Sequence, residues 1–323
     1  MRCALMIEPQ QGLTYLEQLA IARTAEASGF ETLLRSDHYA SFPGGSGLRT
    51  TDAWAVLAGL ARETTRLRLG VLVSPVTFRI PGAFAKLVAT VDEMSDGRVE
   101  VGLGAGWNEL EHRGLGIPFP PLAERMDRLE ESLAIVHGLW SEPDGWSFEG
   151  RYWQVEGARF GPRPSSDSGR RHPHLIVGGE GKPRGLRLAA SFADEYNLVS
   201  ARPEAAAEVR GRLRAACAAV GRDPDSLVYS GMVGVLVGES EGDLRDRFAS
   251  LVEMLGMDAA TGGAWIEARR ERWIVGTPDR ALERIAALAR AGLERIALQD
   301  FVPRDLEMMR LLGARILPAA AGL

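Results

Sequence analysis

The chain has 323 residues, 46% hydrophobic and 25% charged, ordinary for a globular protein and long enough to bury a core without disulfide or metal staples. Its 38 lysines and arginines against 43 aspartates and glutamates give a net charge of −5, which argues against a nucleic-acid binder. Cys3 and Cys217 have no paired spacing, which excludes zinc-ribbon and thioredoxin motifs and fits a reducing cytoplasm.

The N-terminus, MRCALMIEPQ, lacks the apolar stretch of a signal peptide, and no run approaches the ~18 apolar residues of a membrane span. From there, short apolar runs alternate with helical patterns. CALMIEP leads to a helix over about 14–28, closed by Gly29. A strand over 30–35 and a Gly/Ser-rich loop precede a helix over 52–63. LRLGVLVSP precedes one over 81–94. RVEVGLGAG and a Pro-rich loop precede one over 122–140. Residues 141–171 break the rhythm: GWSFEGRYWQVEGARF alternates aromatic and polar residues, reading as a β-hairpin, and a polar loop follows. HLIVGGEG, DEYNLVS and LVYSGMVGVLVG open three further units. Their helices fall over 183–192, 203–220 and 277–291, the last beginning with Thr277 as N-cap and Pro278 at the first turn. A helical insertion over 240–272, broken at Gly262–Gly263, interrupts the third of these. LERIALQ and a helix over 303–312 end the chain.

Eight strand–helix units of about 40 residues read as a TIM (β/α)8 barrel with two insertions, in one domain over 1–323. The rival is a doubly wound open sheet. In a barrel the chemistry lies at the C-terminal strand ends. Those ends carry Glu8, the Ser36-Asp37-His38 run, Ser74, the run from Gly104 to Asn108, the run from Gly178 to Gly181, Asn197, Ser200 and Gln299. His38 is the natural acid or base near neutral pH, although Asp37 beside it cannot easily orient the same ring. In GGEGKPRG, glycines and a helix N-terminus invite a phosphate, with Lys182, Arg184 and Arg187 adding positive charge. A tight turn with solvated cations would look the same. No metal-ligand spacing and no nucleophile elbow are present. The aromatic stripe Trp146, Phe148, Tyr152, Trp153 reads as hairpin packing or as a lid.

In order along the chain stand SDHY, LGVLVSPVTFRIPG, DGRVEVGLGAGWNELEHRGLGIPF, RMDRLEESLAIVHGLW, FEGRYW, PHLIVGGEG, ADEYN and VGTPDRALERIAAL. Together they resemble the bacterial luciferase-like superfamily of flavin and deazaflavin oxidoreductases over about residues 1–318. The resemblance implies a TIM barrel that binds coenzyme F420 for hydride transfer, or FMN with molecular oxygen; SDHY and GAGWNELE favour F420. It implies a nonprolyl cis peptide at Leu72–Val73, with Val73 and Ser74 backing the ring. It places Asp37 and His38 at the reacting centre and Gly106, Trp107 and Asn108 along the cofactor edge. Gly178, Gly179 and Gly181 would cradle the phosphate. Thr77 and Arg79 would lie on the ribityl-phosphate side, and Lys182, Arg184, Arg170 and Arg171 along the anionic tail. Where sugar-phosphate dehydrogenases of the family carry an acidic proton donor, Trp107 stands, with Glu109 and Glu111 the nearest carboxylates.

The expected activity is an F420-dependent oxidoreduction of a small alcohol, carbonyl or enone. FMN-dependent monooxygenation is the alternative, and a non-catalytic flavin-binding barrel a third. The resemblance also implies a homodimer in the cytoplasm, with no membrane or nucleic-acid partner. Loops 39–50 and 110–121 and the 240–272 insertion would set the substrate.

Overall fold

A computed structural model describes residues 1–42, 47–164 and 172–323. The segments 43–46 and 165–171, with Arg170, Arg171 and part of the 39–50 loop, lie outside the described residues. The strands among the described residues are β1 (Arg2–Ile7), β2 (Thr32–Arg35), β3 (Arg68–Pro75), β4 (Val99–Gly104), β5 (Trp146–Glu149), β6 (Gln154–Ala158), β7 (His174–Gly179), β8 (Glu195–Leu198), β9 (Val228–Val237), β10 (Ile274–Gly276) and β11 (Arg295–Asp300). Parallel pairing runs β9-β11-β1-β2-β3-β4-β7-β8, and β8 pairs back to β9. The ring is closed: the fold is the TIM barrel, not the open sheet.

Helices cover the outside, near their expected ranges. Tyr15–Ala27 begins with a full capping box, in which Thr14 and Glu17 satisfy each other's free N–H groups. Ala53–Glu63 is capped by Asp52, and Pro81–Ser95, Pro183–Phe192 and Pro203–Ala219 each start on proline. Outward strand residues such as Leu33, Val71, Val101 and Leu298 pack against Trp54, Leu133 and Val136 of these helices in one continuous core.

Inside the barrel the side chains form layers. The middle is small and apolar: Ala4, Met6, Leu34, Leu72, Ile176 and Ala297. Beneath it, at the N-terminal end, lies a buried ionic floor. Arg295 donates through Nη1 to Glu100 (2.8 Å) and Glu195 (2.9 Å), and through Nη2 to Thr32 Oγ1 (2.7 Å). Arg68 reaches Glu100 at 2.8 Å, and His174 Nε2 meets Glu195 at 2.8 Å. Burial pushes both carboxyls up, but Arg295 above all, with His174, pulls them the other way; Glu100 ends at about 2 and Glu195 also ends below the usual carboxylate range.

Three details depart from the sequence reading. Gly262 and Gly263 lie within a helix (Ala259–Arg270); the insertion breaks instead after Glu241–Met254. A side chain on Gly262 would strike Val252, so this glycine serves helix-to-helix contact. A three-residue strand, β10, extends the sheet beyond the barrel by pairing with the end of β9. A further helix, Glu109–Gly114, fills the loop after β4. The β5–β6 hairpin packs against the outer helix Leu122–Ser141: Trp146 covers Gly138, and Glu131 accepts the backbone N–H groups of Arg151 (2.7 Å) and Trp153 (3.0 Å). The aromatic stripe is therefore packing, not a lid.

Replacing Arg295 by Met leaves two carboxylates facing each other in the barrel interior. Urea unfolding at pH 7 is expected to show a loss of about 3–5 kcal/mol, with partial recovery on adding Glu195→Gln. In the wild type, depressed carboxyl values make this stabilisation complete above about pH 4.5 and lost as pH falls toward 2, so acid titration of stability should steepen there.

Candidate functional site

At the C-terminal rim, β3 carries the Leu72–Val73 cis peptide, and its register with β4 shifts between Val71 and Ser74. The displaced Val73 side chain leans across two neighbouring strands. A methyl group placed on Gly102, Gly104 or Gly178 would stand 2.8, 2.7 or 3.0 Å from its γ-carbons. These glycines exist for room, not for unusual backbone angles. Gly178 therefore has a packing duty beside any ligand role.

His38 follows β2 and is 15% exposed at its side chain. Its Nδ1 lies 2.9 Å from Glu111 Oε1 and 3.2 Å from Oε2. A carboxylate accepts, so Nδ1–H donates and Nε2 is left to act. The same Glu111 receives the backbone N–H of Tyr39 at 2.8 Å and of Ala40 at 3.3 Å, which locks the loop to the helix Glu109–Gly114. Burial, the largest influence, pushes the imidazole pKa down; Glu111, then Glu8 and Asp37, outweigh it and hold it above the ordinary value. Sequence reading noted Glu111 only as a spare carboxylate. Its partner is 73 positions away, and no local pattern joins them.

Asp37 does not face open space. It is 1% exposed, accepts from Ser74 Oγ at 2.7 Å, and pairs with Arg79. Arg79 also pairs with Asp52, and Tyr39 donates to Asp52. Ser74 in turn accepts from Trp54 Nε1 at 2.9 Å. Asp37, Ser74 and Arg79 thus form a frame behind His38. Leu72 is buried in the inner apolar layer.

On the β4 side, Gly106 has φ +78 and its carbonyl accepts from Arg125 at 2.9 Å. Asn108 caps the helix Glu109–Gly114 by accepting from Leu110 N–H. His112 Nδ1 lies 2.7 Å from the Asn108 carbonyl, which can only accept, so Nδ1–H donates there while Nε2 meets the Thr77 hydroxyl at 2.7 Å. Thr77 and Asn108 therefore brace the rim. Trp107 projects from it, 66% exposed, stacked on Phe42 at 5.2 Å and edge-on to His38 at 5.5 Å.

The glycine run after β7 divides. Gly179 stands at the strand end, where a methyl group would come 3.1 Å from the Tyr196 hydroxyl. Gly181 (φ +77) already gives its N–H to that hydroxyl at 2.7 Å. Arg184 and Arg187 pair with Asp127 and Glu130 of the helix Leu122–Ser141. Lys182 is exposed. Sequence reading missed a cavity of about 240 Å³ next door, lined by Glu180, Ser200, Arg202, Arg212 and Arg272. Arg202 and Arg272 have no carboxylate partner among the described residues. Among the described residues no cluster of His, Cys, Asp and Glu could hold a metal, and no helix is long and apolar enough to cross a membrane.

Residues 3–295 match the family model described as luciferase-like monooxygenase. An F420-dependent glucose-6-phosphate dehydrogenase of Microbacterium testaceum is 29% identical over 94% of this chain and 92% of that protein. An FMNH(2)-dependent dimethylsulfone monooxygenase of Pseudomonas putida is 26% identical over 92% of this chain and 86% of its own length. Among solved structures, an F420-dependent secondary alcohol dehydrogenase in complex with an F420-acetone adduct superposes with a TM-score of 0.83, at 20% identity, over 99% of this chain and 98% of that one; this likeness speaks to the fold.

Glu111→Gln removes the charge that holds the His38 pKa up while burial remains. An NMR titration should show the His38 imidazole pKa falling below its wild-type value. Gly104→Ala forces a methyl group against Val73, and thermal or urea unfolding should report a loss of about 1–3 kcal/mol.

Proposed function

This chain belongs to the luciferase-like monooxygenase family, and on that premise we propose an F420-dependent oxidoreductase that moves a hydride between the deazaflavin and a small alcohol, carbonyl or enone. The observation that carries the reading is His38: a partly buried imidazole at the barrel rim, held at Nδ1 by Glu111, with Nε2 free among the described residues. It is the acid–base pair that alcohol–carbonyl interconversion requires.

Two features of the rim fit a flat tricyclic cofactor. Val73 and the glycines beneath it give a smooth wall from β3 to β7. Asn197, paired laterally with Gly178, is 1% exposed and its Oδ1 has no hydrogen-bond partner among the described residues. Its orientation is fixed, because Ser230 donates to Glu195 and so accepts from Asn197 Nδ2 at 2.8 Å. A buried acceptor of this kind suits the N–H edge that flavins and deazaflavins share. Leu72, Val73, Ser74, Gly106, Gly178 and Gly179 would hold the ring. Lys182, Arg202 and Arg272 are available to an anionic group of cofactor or substrate. We place this activity in a cytoplasmic homodimer of one barrel domain per chain, as the family resemblance implies.

When bound, the deazaflavin supplies hydride chemistry at C5. The chain's own part is the proton. His38 Nε2 takes it from a substrate hydroxyl, or returns it to a carbonyl oxygen, while Glu111 stabilises the imidazolium that results. The Asp37–Arg79–Asp52 frame keeps the loop that carries His38 in register with β3. Trp107 stands where a sugar-phosphate dehydrogenase carries its acid, and Glu111 is engaged with His38, so the resemblance to those enzymes supports the cofactor more than the substrate.

Titrating the purified protein with oxidised F420 and separately with FMN, followed by tryptophan fluorescence at two salt concentrations, tests the reading. Tight, salt-sensitive F420 binding with weak FMN binding is expected. The reverse order overturns the cofactor and turns the chemistry toward FMN and oxygen, the course named for the dimethylsulfone relative.

A further inference from the structure

We propose that Trp107, with Phe42 behind it, selects substrates with a neutral, flat apolar group next to the reacting carbon: aryl or similarly hydrophobic alcohols and ketones rather than phosphorylated or small aliphatic ones. This rests on His38 as the proton-transfer residue of the reaction above.

The rings of His38, Phe42 and Trp107 form a near-equilateral triangle, with centroids 4.9, 5.2 and 5.5 Å apart. Phe42 and Trp107 lie nearly parallel (28°), and His38 stands across both at 76° and 73°. One face of the indole is covered by Phe42, yet the residue remains 66% exposed. That exposed indole surface stands next to the imidazole, 5.5 Å between ring centroids.

A tryptophan this exposed is normally a mobile side chain, but here the backbone is fixed on both sides. The Gly106 carbonyl is held by Arg125, and Asn108 caps the next helix while its own carbonyl holds buried His112. A rigid, solvent-facing aromatic plane gives large contact area at low entropic cost to whatever stacks on it. Charge points the same way. Arg79, the cation beside Asp37, is neutralised by Asp37 and Asp52, Arg125 is engaged with the Gly106 carbonyl and the Phe119 ring, and Glu111 adds a negative charge behind His38. Beside the imidazole a phosphate would therefore meet aromatic carbon and a carboxylate. Arg202 and Arg272, which have no carboxylate partner among the described residues, line a separate cavity at the ends of β7 and β8.

Calorimetry of the wild type, Trp107→Ala and Trp107→Phe with acetophenone, acetone and glucose 6-phosphate, with and without F420, tests the proposal. Acetophenone should bind the wild type and Trp107→Phe comparably and Trp107→Ala about tenfold more weakly. Acetone and glucose 6-phosphate should show no dependence on residue 107. In F420-supported turnover, Trp107→Ala should raise KM for the aryl substrate about tenfold and Trp107→Phe should restore it. Equal acetophenone affinity in Trp107→Ala, no acetophenone binding to the wild type, or a wild-type preference for glucose 6-phosphate overturns it. Failure of F420 to bind, with the acetophenone contrast intact, removes the cofactor assignment and leaves the aromatic selection standing. The phenylalanine variant guards against loss of folding in Trp107→Ala.

Discussion

Everything at the rim depends on an interaction at the opposite end of the barrel. Arg295 on β11 reaches across the interior to Glu100 on β4 and Glu195 on β8, with Thr32 of β2, Arg68 of β3, His174 of β7 and Ser230 of β9 completing the set. Seven of the eight barrel strands are joined by these contacts. Burying three charges is costly, and a well-packed apolar floor could be as stable. What the ionic floor adds is direction: each guanidinium hydrogen bond fixes one strand's height relative to another. Above it, the middle layer needs only small side chains. The upper rim is thereby released from holding the barrel together and can accept a displaced β3, glycines and half-exposed polar groups.

The rim repeats this division on a smaller scale. Asp37, Ser74, Trp54, Arg79, Asp52 and Tyr39 form a closed set of donors and acceptors. His112, Thr77 and Asn108 form a second. Outside these closed sets stand the groups with something left to offer among the described residues: Nε2 of His38, the exposed indole of Trp107 and the Oδ1 of Asn197. Preorganisation of this kind holds the His38 imidazole in one orientation at the rim.

The order of elements was legible because strand–helix alternation is local, and closure of the barrel is its simplest topological consequence. His38 was legible because it ends a strand. Its partner was not, since Glu111 belongs to a six-residue helix whose pattern is hidden in a loop. Asp37 and Asn108 stand at strand ends, as their place in the sequence implied, but sequence could not say that hydrogen bonds would make them, and Thr77, supports of the rim. Glycines carry a second duty that sequence does not show. Gly178 and Gly181 read as phosphate ligands; in the fold one also clears space for Val73, and the other gives its N–H to Tyr196. A glycine announces that a side chain is missing, and only tertiary contacts reveal which neighbour required the gap. Gly262 taught the same lesson inside a helix.

The short β9–β10 pairing has a consequence for how such a barrel diversifies. β9 is ten residues long, and its last three, with Gly238, clasp β10 as the chain returns. The helices between leave and rejoin the scaffold through one two-stranded gate. Because closing a longer loop costs only about 0.6 kcal/mol for each doubling of its length, what lies beyond the gate can be lengthened, shortened or exchanged with little effect on barrel closure. The insertion is a module joined to the scaffold at one seam, able to vary as a unit while the rim around His38 stays unchanged.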